Sequence, residues 1–264
     1  MFIDSHCHLD FAELAPALPQ LLERMRDARV AGALCISVEL AHFPAVLDLA
    51  ERHPNLWATV GVHPDYPDTH EPDVSLLVGL AASSPRIRAI GETGLDYYRL
   101  KGDLAWQRER FRTHIRAARM ARLPLVIHTR AASADTLAIM REESAHEPGG
   151  VMHCFTEDWE TASAAIDMGF AISFSGIVTF KSAQALREVA ARVPDAHLLI
   201  ETDSPYLAPV PHRGKVNEPS FVPHVAAMLA QIRGCSVEHI AEITTRNFQR
   251  LFRVSAQELA DAAR

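Results

Sequence analysis

Eight short β-rich runs recur along the chain, each followed by a segment of helical length: Met1–His6, Ala33–Val38, Leu56–His63, Ile87–Glu92, Leu125–His128, Val151–His153, Ala171–Ser175 and Leu198–Asp203. Between them apolar residues return at three- and four-residue spacing, as in Leu18, Leu22, Met25 and Ala28, the period of an amphipathic helix. Gly32, Pro54-Asn55, Pro85, Pro124 and Gly149-Gly150 mark the starts of the second to sixth runs. Strands that alternate with helices throughout must lie parallel, and eight such units close into a (β/α)8 TIM barrel. An open doubly wound sheet would more often have fewer strands and a glycine-rich phosphate loop, and neither GxGxxG nor a Walker sequence is present.

The 264 residues match the usual length of one such barrel. No Ser/Gly/Pro-rich linker, low-complexity tract or short-period repeat divides them, so residues 1–264 are expected to form a single α/β domain. Two helices, near Phe221–Arg233 and Val237–Phe252, are expected to close the chain after a long polar loop, Ser204–Pro219. Long loops on a compact scaffold often carry function.

Net charge is −7, and Lys101, Lys181 and Lys215 are the only lysines among 26 cationic residues, with no basic block. That balance argues against a bulk electrostatic nucleic-acid scaffold but leaves nucleic-acid chemistry open, through a local patch or metal ions. Cys7, Cys35, Cys154 and Cys235 form no CxxC pair and lie in or beside apolar runs, as reduced thiols do. There is no basic-then-apolar leader and no apolar stretch of membrane-spanning length. A cytoplasmic monomer without membrane attachment is the expectation.

In a barrel the C-terminal ends of all strands surround one mouth, where such enzymes keep their active sites. Here those ends carry His6 and His8 (run one), Glu92 (run four), His128 (run five), His153 (run six) and Asp203 (run eight). One histidine at a strand end is ordinarily structural; six ligand-type side chains on one rim are not explained that way. Four imidazoles and two carboxylates exceed the set that a single tetrahedral zinc takes, which points to two divalent ions, with Glu92 as the bridging carboxylate. No lysine falls at a strand end to serve as a carbamylated bridge. The mixed nitrogen and oxygen set suits zinc or manganese best, and magnesium less well.

These residues resemble the TatD-related metal-dependent deoxyribonucleases, within the wider amidohydrolase-like barrels. The resemblance rests on Ile3-Asp4-Ser5-His6-Cys7-His8-Leu9-Asp10, Gly91-Glu92-Thr93-Gly94-Leu95-Asp96-Tyr97-Tyr98, Val126-Ile127-His128-Thr129-Arg130, His153-Cys154-Phe155, Phe174-Ser175-Gly176 and Glu201-Thr202-Asp203-Ser204-Pro205-Tyr206-Leu207. It implies that His6, His8, Glu92 and Asp203 hold one ion and that Glu92, His128 and His153 hold the other. It also implies hydrolysis of phosphodiester bonds, typically removal of nucleotides from DNA ends, with single strands preferred. The chain departs from the family at Ala131 and Glu157, where Asp and Gly are common, and neither position is a ligand.

The mechanism expected of such a site is attack by a metal-activated water, with Asp203 accepting its proton and Glu92 the second catalytic carboxylate. Arg130, Lys181 and Arg213 are candidate phosphate contacts, His63 a substrate contact, and Tyr97 and Tyr206 candidate stacking partners for bases. Tyr98, Trp106 and Phe155 are further aromatic residues expected near the mouth. Glu201 and Asp4 stand one step deeper than Asp203 and His6, where they could orient imidazoles by hydrogen bonds. His42, His53, His70, His114, His146, His197 and His239 read as solvent-facing. Two alternatives stand beside the nuclease: a deacylase, lactonase or deaminase of amidohydrolase type acting on a carbonyl, and a catalytically silent binding barrel. A cationic pocket favours the phosphodiester, whereas an apolar one favours the acyl substrate.

Overall fold

The computed structural model of the chain describes residues 1–262. Its strands are β1 (Phe2–Cys7), β2 (Val30–Cys35), β3 (Leu56–Val60), β4 (Ile87–Asp96), β5 (Leu125–Arg130), β6 (Gly150–Met152), β7 (Ala171–Phe174) and β8 (Leu198–Ile200). They pair in parallel in that order. The ring closes where Cys7 bridges Ser204 and the His8 and Asp203 N–H groups donate to the Ser204 and His6 carbonyls. This is the expected TIM barrel. After each of β1 to β7 comes a helix: α1 (Leu18–Asp27), α2 (Phe43–Arg52), α3 (Val74–Ala81), α4 (Ala105–Ala121), α5 (Ser133–Glu142), α6 (Trp159–Asp167) and α7 (Gln184–Arg192). Then α8 (Val222–Arg233), α9 (Val237–Phe252) and α10 (Ala256–Ala262) follow β8.

The last of these corrects the expectation that two helices end the chain. Its start is a reciprocal cap, in which the Glu258 N–H donates to Ser255 Oγ and the Ser255 N–H to a Glu258 carboxylate oxygen. Ser255-x-x-Glu258 is the sequence signature of such a box. Leu259 of α10 joins Phe248 and Phe252 of α9 in the same buried cluster as the barrel interior.

Every strand contributes to the interior cluster, through Ile3, Leu34, Trp57, Ala89, Val126, Val151, Ala171 and Leu199 among others. Because strand side chains alternate, the residue two further on faces the same way, which directs His128, His153 and Glu201 inward. Across the bore at that level Ser5 Oγ lies 3.1 Å from Ser173 Oγ. A second apolar layer fills the space between strands and helices, with Ala33, Cys35, Leu56 and Ala58 packed together with helix residues such as Leu21, Val46 and Phe111.

Several ends differ from the expected runs for local reasons. β6 and β8 stop short of His153 and Asp203 because Cys154 (φ 40°) and Asp203 (φ 58°) turn the backbone into the left-handed region. In contrast, β4 continues past Glu92 to Asp96 alongside β5. That close pairing depends on Gly94, where a Cβ would stand 1.9 Å from the His128 carbonyl oxygen at φ 135°.

Candidate metal centre

Glu92 is the hub of the mouth. Its Oε1 lies 2.7 Å from His153 Nε2, 3.2 Å from His63 Nε2 and 3.3 Å from His128 Nδ1, and its Oε2 lies 3.2 Å from His6 Nε2. Asp203 Oδ1 faces His8 Nε2 at 3.4 Å and His6 Nε2 at 3.6 Å. His6 stacks on His153 with ring centroids 3.8 Å apart, and its Nε2 stands 3.3 Å from His8 Nε2. The structure thus brings together all six side chains read as ligands, and adds His63 and Glu201. The donor atoms fall into three groups, His6/His8/Asp203, His6/His153/Glu201 and His63/Glu92/His128.

Strand alternation alone does not place His6 or Glu92. Register shifts in β1 between Asp4 and Cys7, and in β4 between Ile90 and Thr93, change the parity just before His6 and Glu92 reach the mouth. At Gly91 (φ 146°) a Cβ would meet the Val126 carbonyl oxygen at 2.6 Å, so the irregularity in β4 requires glycine.

The partners of the imidazoles set their tautomers. Burial pushes the Asp96 carboxyl up, but His128 and the Arg99 and Tyr98 N–H groups outweigh this and hold it at about 2. Asp96 is therefore an ion that can only accept, so His128 Nε2 donates to it at 3.1 Å and the Nδ1 lone pair turns to the cluster. Glu201 Oε1 lies 3.4 Å from His153 Nδ1 and accepts the Cys154 N–H at 2.7 Å, which leaves His153 Nε2 facing Glu92. His63 has the opposite arrangement. Its Nδ1 accepts the Asp65 N–H at 3.0 Å, so a neutral ring carries its proton on Nε2, aimed at Glu92. That makes His63 a hydrogen-bond donor into the mouth.

Burial pushes Glu92 upward, but His153, His63, His6 and His128 together hold it well below the usual carboxylate range. Asp203 is likewise lowered, by His8, His6 and His153 against its burial. Burial works against charge on His153, yet Glu92 and Glu201 raise it well above the ordinary histidine value. His6 is lowered, by burial and by His153.

The donors fit divalent cations. His6 Nδ1, His8 Nδ1, both His153 nitrogens and Glu201 Oε2 are buried without a properly directed hydrogen-bond partner among the described residues. Carboxylates and imidazole lone pairs converge there, and among the described residues no lysine or arginine pairs with Glu92 or Asp203. Nitrogen and carboxylate oxygen donors of this kind suit zinc and manganese.

Beside the cluster opens a cavity of about 550 Å³ lined by His8, His63, Glu92, His128, His153 and Asp203, and by Arg130 and Tyr206 among others. Other expected contacts lie elsewhere. Lys181, Arg213 and Tyr97 do not line it. Arg213 sits over the Phe180 ring and donates to the Ala208 carbonyl, while Tyr97 Oη donates to Asp135. Phe155 is buried in the core and Trp106 lies under the Arg110 guanidinium.

Asp4 does not orient an imidazole. Because of the shift in β1, its carboxylate clamps β1 to the chain after β8, accepting the Thr202 hydroxyl and the Thr202 and His6 N–H groups. Burial pushes it up to about 8. Of the histidines read as solvent-facing, His42, His70 and His146 are exposed, His53, His197 and His239 are half-buried, and His114 is fully buried. His114 Nδ1 donates to the Arg110 carbonyl and Nε2 accepts the Val62 N–H, joining α4 to the strand-three loop. Asp96 was missed as a site residue, although it shares the parity of Glu92 on one strand.

The family described as TatD related DNase matches residues 3–253. An uncharacterized metal-dependent hydrolase of Escherichia coli strain K12, YcfH, is 46% identical over 261 residues, covering 97% of each chain. The 3'-5' ssDNA/RNA exonuclease TatD of Edwardsiella piscicida is 31% identical, covering 96% of this chain and all of that one. Among solved structures, the TatD homolog YjjV of Escherichia coli K12 superposes with a TM-score of 0.87 at 28% identity, over 96% of this chain and 98% of that one.

Proposed function

The chain belongs to the TatD related DNase family of metal-dependent hydrolases, and from that premise we propose that it is an exonuclease removing nucleotides from single-stranded DNA ends. The observation that carries this reading is the pairing of the donor cluster with Arg130 in one cavity. The Arg130 guanidinium packs over the Tyr98 ring at 4.1 Å, and no carboxylate pairs with it among the described residues. An unpaired guanidinium beside the cluster matches an anionic phosphodiester better than a neutral acyl substrate. The exonuclease name of the Edwardsiella relative points the same way.

Two divalent ions, zinc or manganese, held by His6, His8, Glu92 and Asp203 and by Glu92, His128 and His153, would supply Lewis acidity at the phosphoryl oxygens and at water. Asp203, kept ionised by His8 and His6, accepts the proton of the attacking water. Arg130 and the Nε2–H of His63 bind the non-bridging oxygens and offset their growing charge. Asp96 holds the imidazole of His128 in its ligating tautomer, and the Glu201 carboxylate lies 3.4 Å from His153 Nδ1.

The test is cleavage of end-labelled single-stranded oligonucleotides by zinc- or manganese-loaded protein, with chelator and Asp203→Asn as controls. Metal-dependent shortening from one end supports the reading. Full metal occupancy with hydrolysis of acyl esters or lactones and no shortening would replace it with carbonyl chemistry; full occupancy without turnover on either substrate would favour a silent barrel.

A further inference from the structure

The cavity has a second component that the metal chemistry does not use. Phe11, Tyr66 and Tyr206 line it, contributed by the loops after β1, β3 and β8. Phe11 stacks on the His8 imidazole with centroids 4.7 Å apart and meets Tyr206 edge-on at 6.2 Å. Tyr66 meets His63 edge-on at 6.3 Å. The rings therefore border the donor cluster on its His8 and His63 flanks. They are not ordinary core: Tyr206 is 52% exposed, and Phe11 and Tyr66 are only partly buried. Neither tyrosine hydroxyl has a hydrogen-bond partner among the described residues, unlike that of Tyr97. Arg99, held by Asp65 at 2.7 Å, lines the same cavity.

We propose that Phe11, Tyr66 and Tyr206 form the pocket for the terminal base of the substrate strand, stacking on it while its phosphodiester lies on the donor cluster. The assignment rests on the phosphodiesterase reading above and specifies which residues select the substrate. A volume of about 550 Å³ holds one nucleotide, and because Phe11 stacks directly on His8, a base held by these rings adjoins the cluster. Stacking uses the face of a base, which every base offers, so the pocket tolerates sequence. A base still paired and stacked in a duplex cannot present that face, so the pocket selects unpaired ends.

The experiment compares steady-state cleavage of three substrates: a single strand, the same strand with an abasic residue at the attacked end, and a blunt duplex. The enzymes are the metal-loaded wild type, Tyr206→Leu, Phe11→Leu/Tyr206→Leu and Tyr206→Trp. Losing one stacked base is expected to lower wild-type kcat/KM on the abasic end by about 10-fold, mostly through KM. The double variant should lose about 10-fold on the normal end and nothing further on the abasic end, whereas Tyr206→Trp retains wild-type behaviour. Equal losses on the abasic end in the wild type and the double variant would overturn the base pocket while leaving the exonuclease intact. Failure of the wild type to shorten any of the strands would overturn the phosphodiesterase reading itself.

Discussion

Replacing Asp96 with asparagine tests how the site holds its metal, because the substitution changes one atom type and leaves the shape. Asp96 Oδ1 accepts the Tyr98 and Arg99 N–H groups, each at 2.8 Å, and Oδ2 accepts from His128. In the Asp96→Asn variant the amide oxygen must stay with the two N–H groups, since turning it away would set an NH2 against two donors. The NH2 then faces His128 Nε2, which has to become an acceptor and pass its proton to Nδ1. That is the atom facing Glu92, and a protonated nitrogen is no ligand.

Breaking an outer hydrogen bond of this type lowers metal affinity by about 10- to 100-fold, or roughly 1.4 to 2.7 kcal/mol. The metal-free protein is affected as well. A carboxyl at about 2 in the folded state, against 3.8 ordinarily, contributes about 2 kcal/mol above pH 3.8 that is lost as pH falls through 2, and the Asp96→Asn variant lacks it at neutral pH. Calorimetric zinc titration of metal-free protein, with thermal unfolding of the same samples, reads both effects. Asp96→Ala leaves His128 free to choose its tautomer with water, so the asparagine variant should bind more weakly than the alanine one. Wild-type zinc affinity in Asp96→Asn would refute the tautomer argument.

Three further outcomes are expected. Asp203→Asn should lower turnover by about 100-fold or more while metal content, read by atomic absorption, falls far less, because the other donors remain; parallel loss of both would make Asp203 a ligand only. His114 is held at about 4 by burial, so its contribution is full above pH 6.5 and drains away as pH falls toward 4, by about 3 kcal/mol in all; unfolding curves across that window should be less pH-sensitive in His114→Gln, and equal slopes would dismiss the effect. Chelation should lower Tm by about 10 °C if metal at about 1,000 Kd stabilises the fold by about 4 kcal/mol, and an unchanged Tm would show that the cluster holds no ion in the folded protein.

Periodicity carried the barrel: helical spacing between short β runs, repeated eight times, admits few other architectures. It also carried the placing of His128, His153 and Glu201, which follow interior residues Val126, Val151 and Leu199 by two positions and so inherit their direction. Less legible were the residues whose roles depend on who approaches them. Tyr97 and Arg213 stand near the mouth in sequence, yet Asp135 and the Ala208 carbonyl claim their polar groups. His114 reads as an isolated surface histidine, but α4 packs it beneath the loop after β3, where the Val62 N–H needs an acceptor. The helix from Ala256 could have been read from Ser255-x-x-Glu258.

Residue type and order by themselves determined that this chain alternates strand and helix, and that imidazoles and carboxylates end the strands, because those signals are local. Only the tertiary structure decided which of them converge. His6 and Glu92 reach the cluster through two register shifts, each of which reverses the alternation that a regular strand would impose. Asp4, on the wrong side of the first shift, became a clamp between strand ends instead. The same folding put the Asp65 N–H on His63 Nδ1 and Asp96 on His128 Nε2, so two histidines of identical chemistry present opposite faces to the site: one a proton, the other a lone pair.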